Sequence, residues 1–309
     1  MLKNQRMLIT GLTGLIGGGV TDRLAAHNEI WGLARYSSPG SRERLEALGV
    51  RTVKGDIAKG EFHGLPHEPF DVVLHIAADT RPGVAETAMI QNPEATALLM
   101  HRVRDCKAFL FVSNSSLYLD NPDPLHAYKE TDHVGGWSPH SPNYAPSKLA
   151  SEAVVRSLAR IYGVPSTIAR MNVAYGGVYD DGGLPGKHLE SLLANRPIRL
   201  PASRPHMMSP IHEDDIVAHL GALVRAASVP ATIVNWGGEE GASTEEWVRY
   251  MADLIGVEPV FERADGGVPP SRILDPARGR ALGLEWTVGW KEGLRRMIKA
   301  RHPELALKP

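Results

Sequence analysis

Thr10-Gly11-Leu12-Thr13-Gly14-Leu15-Ile16-Gly17 joins a short apolar run, Met7-Leu8-Ile9-Thr10, to a helical pattern in which Leu15, Ile16, Val20 and Leu24 share one side. Each glycine has a physical task. Gly11 permits a tight turn from strand to helix. Gly14 lets backbone approach a pyrophosphate with no side chain in the way. Gly17 lets the helix pack close to the sheet. The helix start then faces phosphate oxygens with unpaired N–H groups and a partial positive charge. Thr13, Leu15 and Ile16 complete this candidate dinucleotide cradle.

Outward from that turn, strands and helices alternate. Glu29–Ala34, Arg51–Lys54, Asp71–Ile76, Ala108–Val112 and Pro165–Arg170 read as further strands, and a helical pattern covers Glu86–Val103. Such succession predicts a parallel sheet with helices on both faces. Leu119–Pro142 is polar and proline-rich, a long loop of the kind that borders sites. A helix follows over Asn143–Tyr162, with Leu149, Ala153, Val154, Leu158 and Ile161 at spacings of three and four and Gly163 ending it. Beyond Gly176 the order breaks into short helices (184–194, 214–227, 244–255, 290–301) and isolated strands. The expected division is a dinucleotide-binding domain over 1–175 and a mainly substrate-binding lobe over 176–309, interleaved with the sheet.

Composition sets the bounds. At 309 residues the chain is about twice the usual domain length. Hydrophobic residues at 43% suffice for a folded core. Glycine (31) and proline (23) together make about 17% of the chain, against an ordinary ~12%, as many strand–helix switches require. Thirty-four basic residues against 35 acidic ones give a net charge of −1, which argues against nucleic acid as a partner. No stretch approaches the ~20 apolar residues of a membrane span. The first six residues leave no room for a signal peptide, and a single cysteine, Cys106, allows no internal disulfide, so a cytoplasmic location is expected.

The second strand chooses the cofactor. An acidic residue at its end would accept from an adenosine ribose. This chain has Ala34-Arg35-Tyr36-Ser37-Ser38 instead. Arg35 suits a 2′-phosphate, so NADP is expected in preference to NAD. Asp56, followed by Ile57, is placed to accept from an adenine amino group. Ala77 and Ala78, small and apolar, let an adenosine ribose lie against backbone.

Tyr144 and Lys148 open the long helix four residues apart, on one face. A lysine cation near a phenol favours phenolate and lowers its pKa from ~10. The tyrosine can then exchange a proton with an alcohol or carbonyl while hydride moves.

The glycine turn, His75-Ile76-Ala77-Ala78, the strand ending Ser113-Asn114-Ser115-Ser116-Leu117-Tyr118, and Tyr144-x-x-x-Lys148 occur in that order. Together they resemble the extended short-chain dehydrogenase/reductase superfamily, the NAD-dependent epimerase/dehydratase-like group, over roughly residues 5–300. Asn92 and Thr96, Tyr162-Gly163, Arg170, Tyr175-Gly176 and the segment His212–Ile216 match further family positions. The resemblance implies a Rossmann-type doubly wound parallel sheet with a smaller mixed C-terminal substrate lobe. It also implies cofactor contacts at Ser113, Tyr144 and Lys148, and a homodimer formed by pairing the helices at 86–103 and 143–162.

Two departures bear on function. Family members place Ser or Thr four residues before the tyrosine that ends the Ser-rich segment. Here that position is Asn114, whose amide can donate but cannot relay a proton, with Ser115 as the alternative. Sugar-nucleotide enzymes of this group carry an arginine four residues before the histidine of the His212 segment, to hold a diphosphate. Here Met208 stands there, with Arg204 and Arg199 near in sequence, and a thioether cannot pair with phosphate.

The run His212-Glu213-Asp214-Asp215 points in different directions at a helix start, where acids are favoured by the dipole, so no metal site is expected. The resulting expectation is an NADP-dependent oxidoreductase of the carbonyl reductase or alcohol dehydrogenase type, acting on a small or medium apolar substrate. Tyr144 is its acid/base, Lys148 its modifier and Asn114 its polariser. The alternatives are a nucleotide-sugar epimerase or dehydratase holding NAD tightly, and a catalytically silent dinucleotide sensor.

Overall fold

Seven strands form one sheet whose two faces are each covered by an apolar cluster. They are β1 (Arg6–Thr10), β2 (Glu29–Ala34), β3 (Arg51–Lys54), β4 (Val72–His75), β5 (Ala108–Asn114), β6 (Ser166–Met171) and β7 (Thr232–Trp236). The computed structural model describes residues 2–80, 83–137, 141–264 and 267–309. The strands pair in the order β7-β6-β5-β4-β1-β2-β3, every pair parallel. This is the doubly wound sheet expected from the alternation of strand and helix.

Alternation along the strands divides the core. Met7 and Ile9 of β1 join a cluster with Val20 and Leu24 of α1 (Leu15–Leu24), Leu45 of α2 (Ser41–Ala47) and residues of a later helix, Glu213–Arg225. Leu8, one residue out of phase, faces the other side. There it packs with Phe109, Phe111 and Ile168, and with two helices that follow β4 and the long loop.

The segment expected as one helix over 86–103 is α3 (Ala85–Met89), a wide π turn (Ile90–Glu94) and α4 (Ala95–Arg102). Pro93 has no N–H to give a regular turn and its ring crowds the preceding carbonyls, which accounts for the interruption. α5 (Tyr144–Tyr162) runs as expected and ends at Gly163, which takes φ +69° and returns its N–H to Ala159.

After β6 the chain leaves the sheet. α6 (Gly183–Leu193), α8 (Thr244–Ile255) and α10 (Trp290–Arg301) bury Leu189, Trp247, Met251, Leu294 and Met297 in a separate cluster. Between α6 and α8 the chain returns: α7 (Glu213–Arg225) covers the α1 side and β7 adds the seventh strand. The short α9 (Ala277–Ala281) follows α8. The sequence pattern beyond Gly176 suggested only isolated strands. β7 is the exception, because its partner β6 lies some sixty residues earlier and pairing at that range leaves no local signal.

Candidate active site

The carboxyl ends of the parallel strands open onto a cavity of about 700 Å³. Its wall contains the residues expected at the cofactor and at the reacting oxygen: Gly11, Thr13, Gly14, Leu15, Ile16, Gly17, Arg35, Asp56, Ile57, Ala77, Ala78, Ser113, Asn114, Tyr144 and Lys148. Sequence reasoning missed the stretch 171–174 after β6 and Gly183, Leu184 and Lys187 of α6, which complete the far wall. The rule that sites gather at strand carboxyl ends would have found the first group. Nothing local marks the second.

The glycines behave as a cradle requires. Gly11 has φ +75°, and a Cβ there would lie 2.7 Å from the Ala77 nitrogen. A Cβ on Gly17 would meet the Gly11 oxygen at 2.2 Å, so the helix packs against its own turn only as glycine. Around Gly14 the space is open: its nearest neighbour would be 3.6 Å away. Gly14 is also the N-cap of α1 and offers no side chain to the first helical N–H groups. An open, uncapped helix start beside glycine fits a pyrophosphate. Arg35 is exposed at the rim. Asp56 caps the turn Ile57–Lys59, its Oδ1 accepting from the Ala58 N–H at 3.1 Å.

On α5 the lysine is held from two sides. Lys148 is 2% exposed; its Nζ donates to the Val112 carbonyl at 2.6 Å and sits 4.4 Å from the Phe111 ring centre. Burial pushes it down to about 7, against the opposing pull of Glu152. Glu152, one turn further on, accepts from the Ser113 hydroxyl at 2.6 Å and from Arg170 at 3.0 and 2.8 Å. Burial pushes the Tyr144 phenol up to about 12. This is opposite to the lowering expected from Lys148. Lys148 is turned to the Val112 carbonyl, and its own charge is weakened by burial.

Asn114 ends β5 inside the cavity wall. Its Oδ1 accepts from the Ser116 N–H at 2.7 Å, which leaves Nδ2 as its free end. Ser115 is 4% exposed and accepts from Asn172 Nδ2 at 2.9 Å, outside that wall.

Met208 is 7% exposed and packs with Ala242 and Trp247. A second cavity, of about 670 Å³, lies beside this segment, and Asp120, Arg204, His206 and Ser271 are part of its wall. Asp120 is shared by Arg204 at 3.2 Å and by the buried Arg272 at 3.4 Å. Of the two guanidinium groups, Arg204 faces this cavity, and Arg272 is buried outside its wall. Arg199 reaches Gly267 at its edge. The acidic run after β6 is otherwise engaged: Glu213 and Asp214 pair with Arg23 of α1 at 2.7 and 2.8 Å, and His212 caps α7. Among the described residues no group of three or more His, Cys, Asp or Glu is arranged to hold a metal.

Comparison with known proteins gives consistent results. The profile of the NAD dependent epimerase/dehydratase family matches residues 7–237. A dTDP-glucose 4,6-dehydratase of Mycolicibacterium smegmatis is 30% identical over 82% of this chain and 78% of its own. A UDP-glucose 4-epimerase of the same organism is 29% identical over 95% and 97%. The solved structure of the UDP-glucose 4-epimerase of Thermus thermophilus, in complex with NAD, superposes with a TM-score of 0.81 at 24% identity, over 96% of this chain and 98% of that one. These relatives overturn the expectation of a carbonyl reductase or alcohol dehydrogenase for an apolar substrate. That expectation leaned on Met208. The side chain is buried against Ala242 and Trp247, and the basic group in the wall of the neighbouring cavity is Arg204 instead.

Proposed function

The chain belongs to the NAD dependent epimerase/dehydratase family, and on that premise we propose that it rearranges a nucleoside-diphosphate sugar by reversible oxidation at a ring alcohol. The observation that carries this reading is the cavity in which the glycine cradle, Tyr144, Lys148 and Asn114 meet. A bound nicotinamide dinucleotide supplies that cavity with a hydride acceptor that also returns the hydride. Gly14 and the uncapped start of α1 would hold its pyrophosphate. Tyr144 takes the proton of the sugar hydroxyl and gives it back. Asn114 Nδ2 donates to the same oxygen. Lys148, one turn along α5 in the same cavity wall, is at hand for ribose hydroxyls. Arg204 is the cation that the wall of the second cavity offers an anionic substrate.

Epimerisation is the favoured member of the class. The turn after β5 offers an amide and hydroxyls, Asn114, Ser115 and Ser116, and no carboxylate. Eliminating water from a sugar takes a further acid and base. Dehydration stands as the second reading because the relative at 30% identity carries that name.

Purified protein with added NAD or NADP, presented with UDP-, dTDP- and GDP-hexoses, tests the proposal by NMR of the sugar. Expected is a stereoisomer with no net consumption of cofactor; a keto-deoxy sugar would establish the second reading. No conversion and no binding across the panel would overturn both. Two finer assignments go with the proposal. Arg35, exposed and without an ion pair among the described residues, favours NADP over NAD. The outer face of α4 and α5 favours a homodimer.

A further inference from the structure

Beneath the cofactor cavity runs a buried hydrogen-bonded chain that the proposed chemistry leaves unused. His75, the last residue of β4, is 2% exposed. Its Nδ1 lies 2.8 Å from the Thr10 hydroxyl at the end of β1, and its Nε2 lies 3.0 Å from the Thr96 hydroxyl on α4. Neighbouring bonds set the direction. Thr96 donates its one hydroxyl hydrogen to the Asn92 carbonyl at 2.7 Å, so toward His75 it only accepts. Nε2 must then carry the ring proton. Nδ1 is left bare and accepts the hydrogen of Thr10. The Thr10 oxygen accepts in turn from the Ala77 N–H at 3.3 Å. Burial, helped by the nearby Lys148 cation, pushes the ring down to about 3, so it stays neutral.

The chain continues past Thr96. Asn92 Oδ1 accepts from the Asp79 N–H at 2.9 Å, and Nδ2 donates to the Asp79 carbonyl at 3.1 Å and to Ser147 Oγ at 2.8 Å. Ser147 passes its hydrogen to the Tyr144 carbonyl at 2.8 Å. Every hydroxyl hydrogen in the relay is therefore committed. One end holds backbone 77–79 against the glycine turn; the other holds the first turn of α5, which carries Tyr144.

We propose that His75 is a positioning residue that sets the spacing between the dinucleotide cradle and Tyr144, acting as a single neutral tautomer with its proton on Nε2. The proposal rests on the dinucleotide reading of the cavity and not on the identity of the sugar. A protonated ring would donate from both nitrogens and strand the Thr10 hydrogen; the other tautomer would leave Nε2 and Thr96 as two facing acceptors.

The native full-length chain, labelled with ¹⁵N at histidine, tests the tautomer without any substrate. Expected for His75 is one protonated nitrogen, Nε2, unchanged from about pH 5 to 8, because its pKa lies far below that range. A proton on Nδ1, or a doubly protonated ring, overturns the proposal. Two near-isosteric variants test the positioning. Thr10→Val cuts the relay on the cradle side and should weaken NADH or NADPH binding about tenfold, as loss of a coupled buried hydrogen bond does. Thr96→Val cuts it on the Tyr144 side. It should leave cofactor affinity within about twofold while lowering kcat about tenfold on any sugar nucleotide found to turn over. Thr10→Ser, which keeps the hydroxyl, should restore cofactor affinity. If Thr10→Val binds dinucleotide like the parent, the relay positions nothing. Cofactor binding and tautomer are read even where no sugar is turned over, so an inert sugar panel overturns the substrate reading alone.

Discussion

Asn114 is held by one end of its amide, and that decides what it offers. With Oδ1 taken by the Ser116 N–H, Nδ2 is the group left for a substrate oxygen. Asn114→Ala should then lower turnover by about 10², the worth of one oriented donor at a reacting oxygen. Ser115→Ala should be mild by comparison, because Ser115 serves Asn172. The reverse order would assign the role to Ser115. Tyr144→Phe removes only the hydroxyl and should cost about 10²–10⁴ in turnover with cofactor affinity nearly kept. Full turnover by Tyr144→Phe on the true substrate would sink the assignment. At the rim, Arg35→Ala should weaken NADPH selectively by about ten- to a hundredfold, the value of one charge-assisted contact, while NADH binding changes little. Equal affinity of the parent for the two cofactors would remove the basis for NADP. The identity of all these residues was legible in the sequence, since turn glycines and a Tyr–Lys spacing leave local marks. The orientation of the Asn114 amide, the retreat of Lys148 to the Val112 carbonyl and the burial of Met208 were not. The last two depend on atoms brought in from another element, and the first on a backbone N–H two residues along the same turn.

α5 shows what an element adds to its residues. Tyr144, Lys148 and Glu152 recur every fourth residue, so one helix face presents acid/base, cation and the carboxylate that anchors Arg170. Its bounds were legible to within a residue, from apolar spacing and the terminal glycine. The neighbouring helix was legible only in outline. The π turn at Ile90–Glu94 comes from Pro93, and it accompanies the burial of Asn92, whose amide reaches Ser147 of α5. A regular 3.6-residue pattern does not reveal where a helix widens. On its outer side α5 exposes small residues, Ala153 and Ser157, with Ile161 at 69% exposure and Leu98 of α4 at 41%. A second copy laid across this face would cover those apolar groups without bulky obstruction, so light scattering should give twice the 33.6 kDa chain mass. Ala153→Glu, a charge in the middle of the face, should return it to one chain. A parent already single at micromolar concentration would count against the pairing.

At the scale of the whole molecule, the sheet core and the separate cluster of α6, α8 and α10 share a dependence on neutral imidazoles. His75 lies under the cofactor cavity and is pushed by burial to about 3. His188 and His206 border the second cluster, accepting from Trp247 Nε1 at 2.9 Å and bonding Thr244 at 2.8 Å, and burial pushes both to about 4. In each case the folded value lies below the ordinary ~6.5. As pH falls through ~6.5 the unfolded chain takes up protons that the folded chain refuses. Their stabilising effect is therefore complete above ~6.5 and is lost progressively as pH falls toward their folded values. Each such group contributes about 1.4 kcal/mol per pH unit inside its window, a large share of an ordinary folding free energy when three act together. Because the three sit in both parts of the molecule, acid should loosen the whole chain rather than one lobe. Thermal unfolding followed from pH 8 to pH 4 at constant ionic strength should show Tm nearly level to about 6.5 and then falling steeply, in one transition by both far-ultraviolet circular dichroism and tryptophan fluorescence. A Tm that holds level down to pH 4 would mean that these imidazoles accept protons inside the fold, and would remove the neutral His75 on which the relay depends.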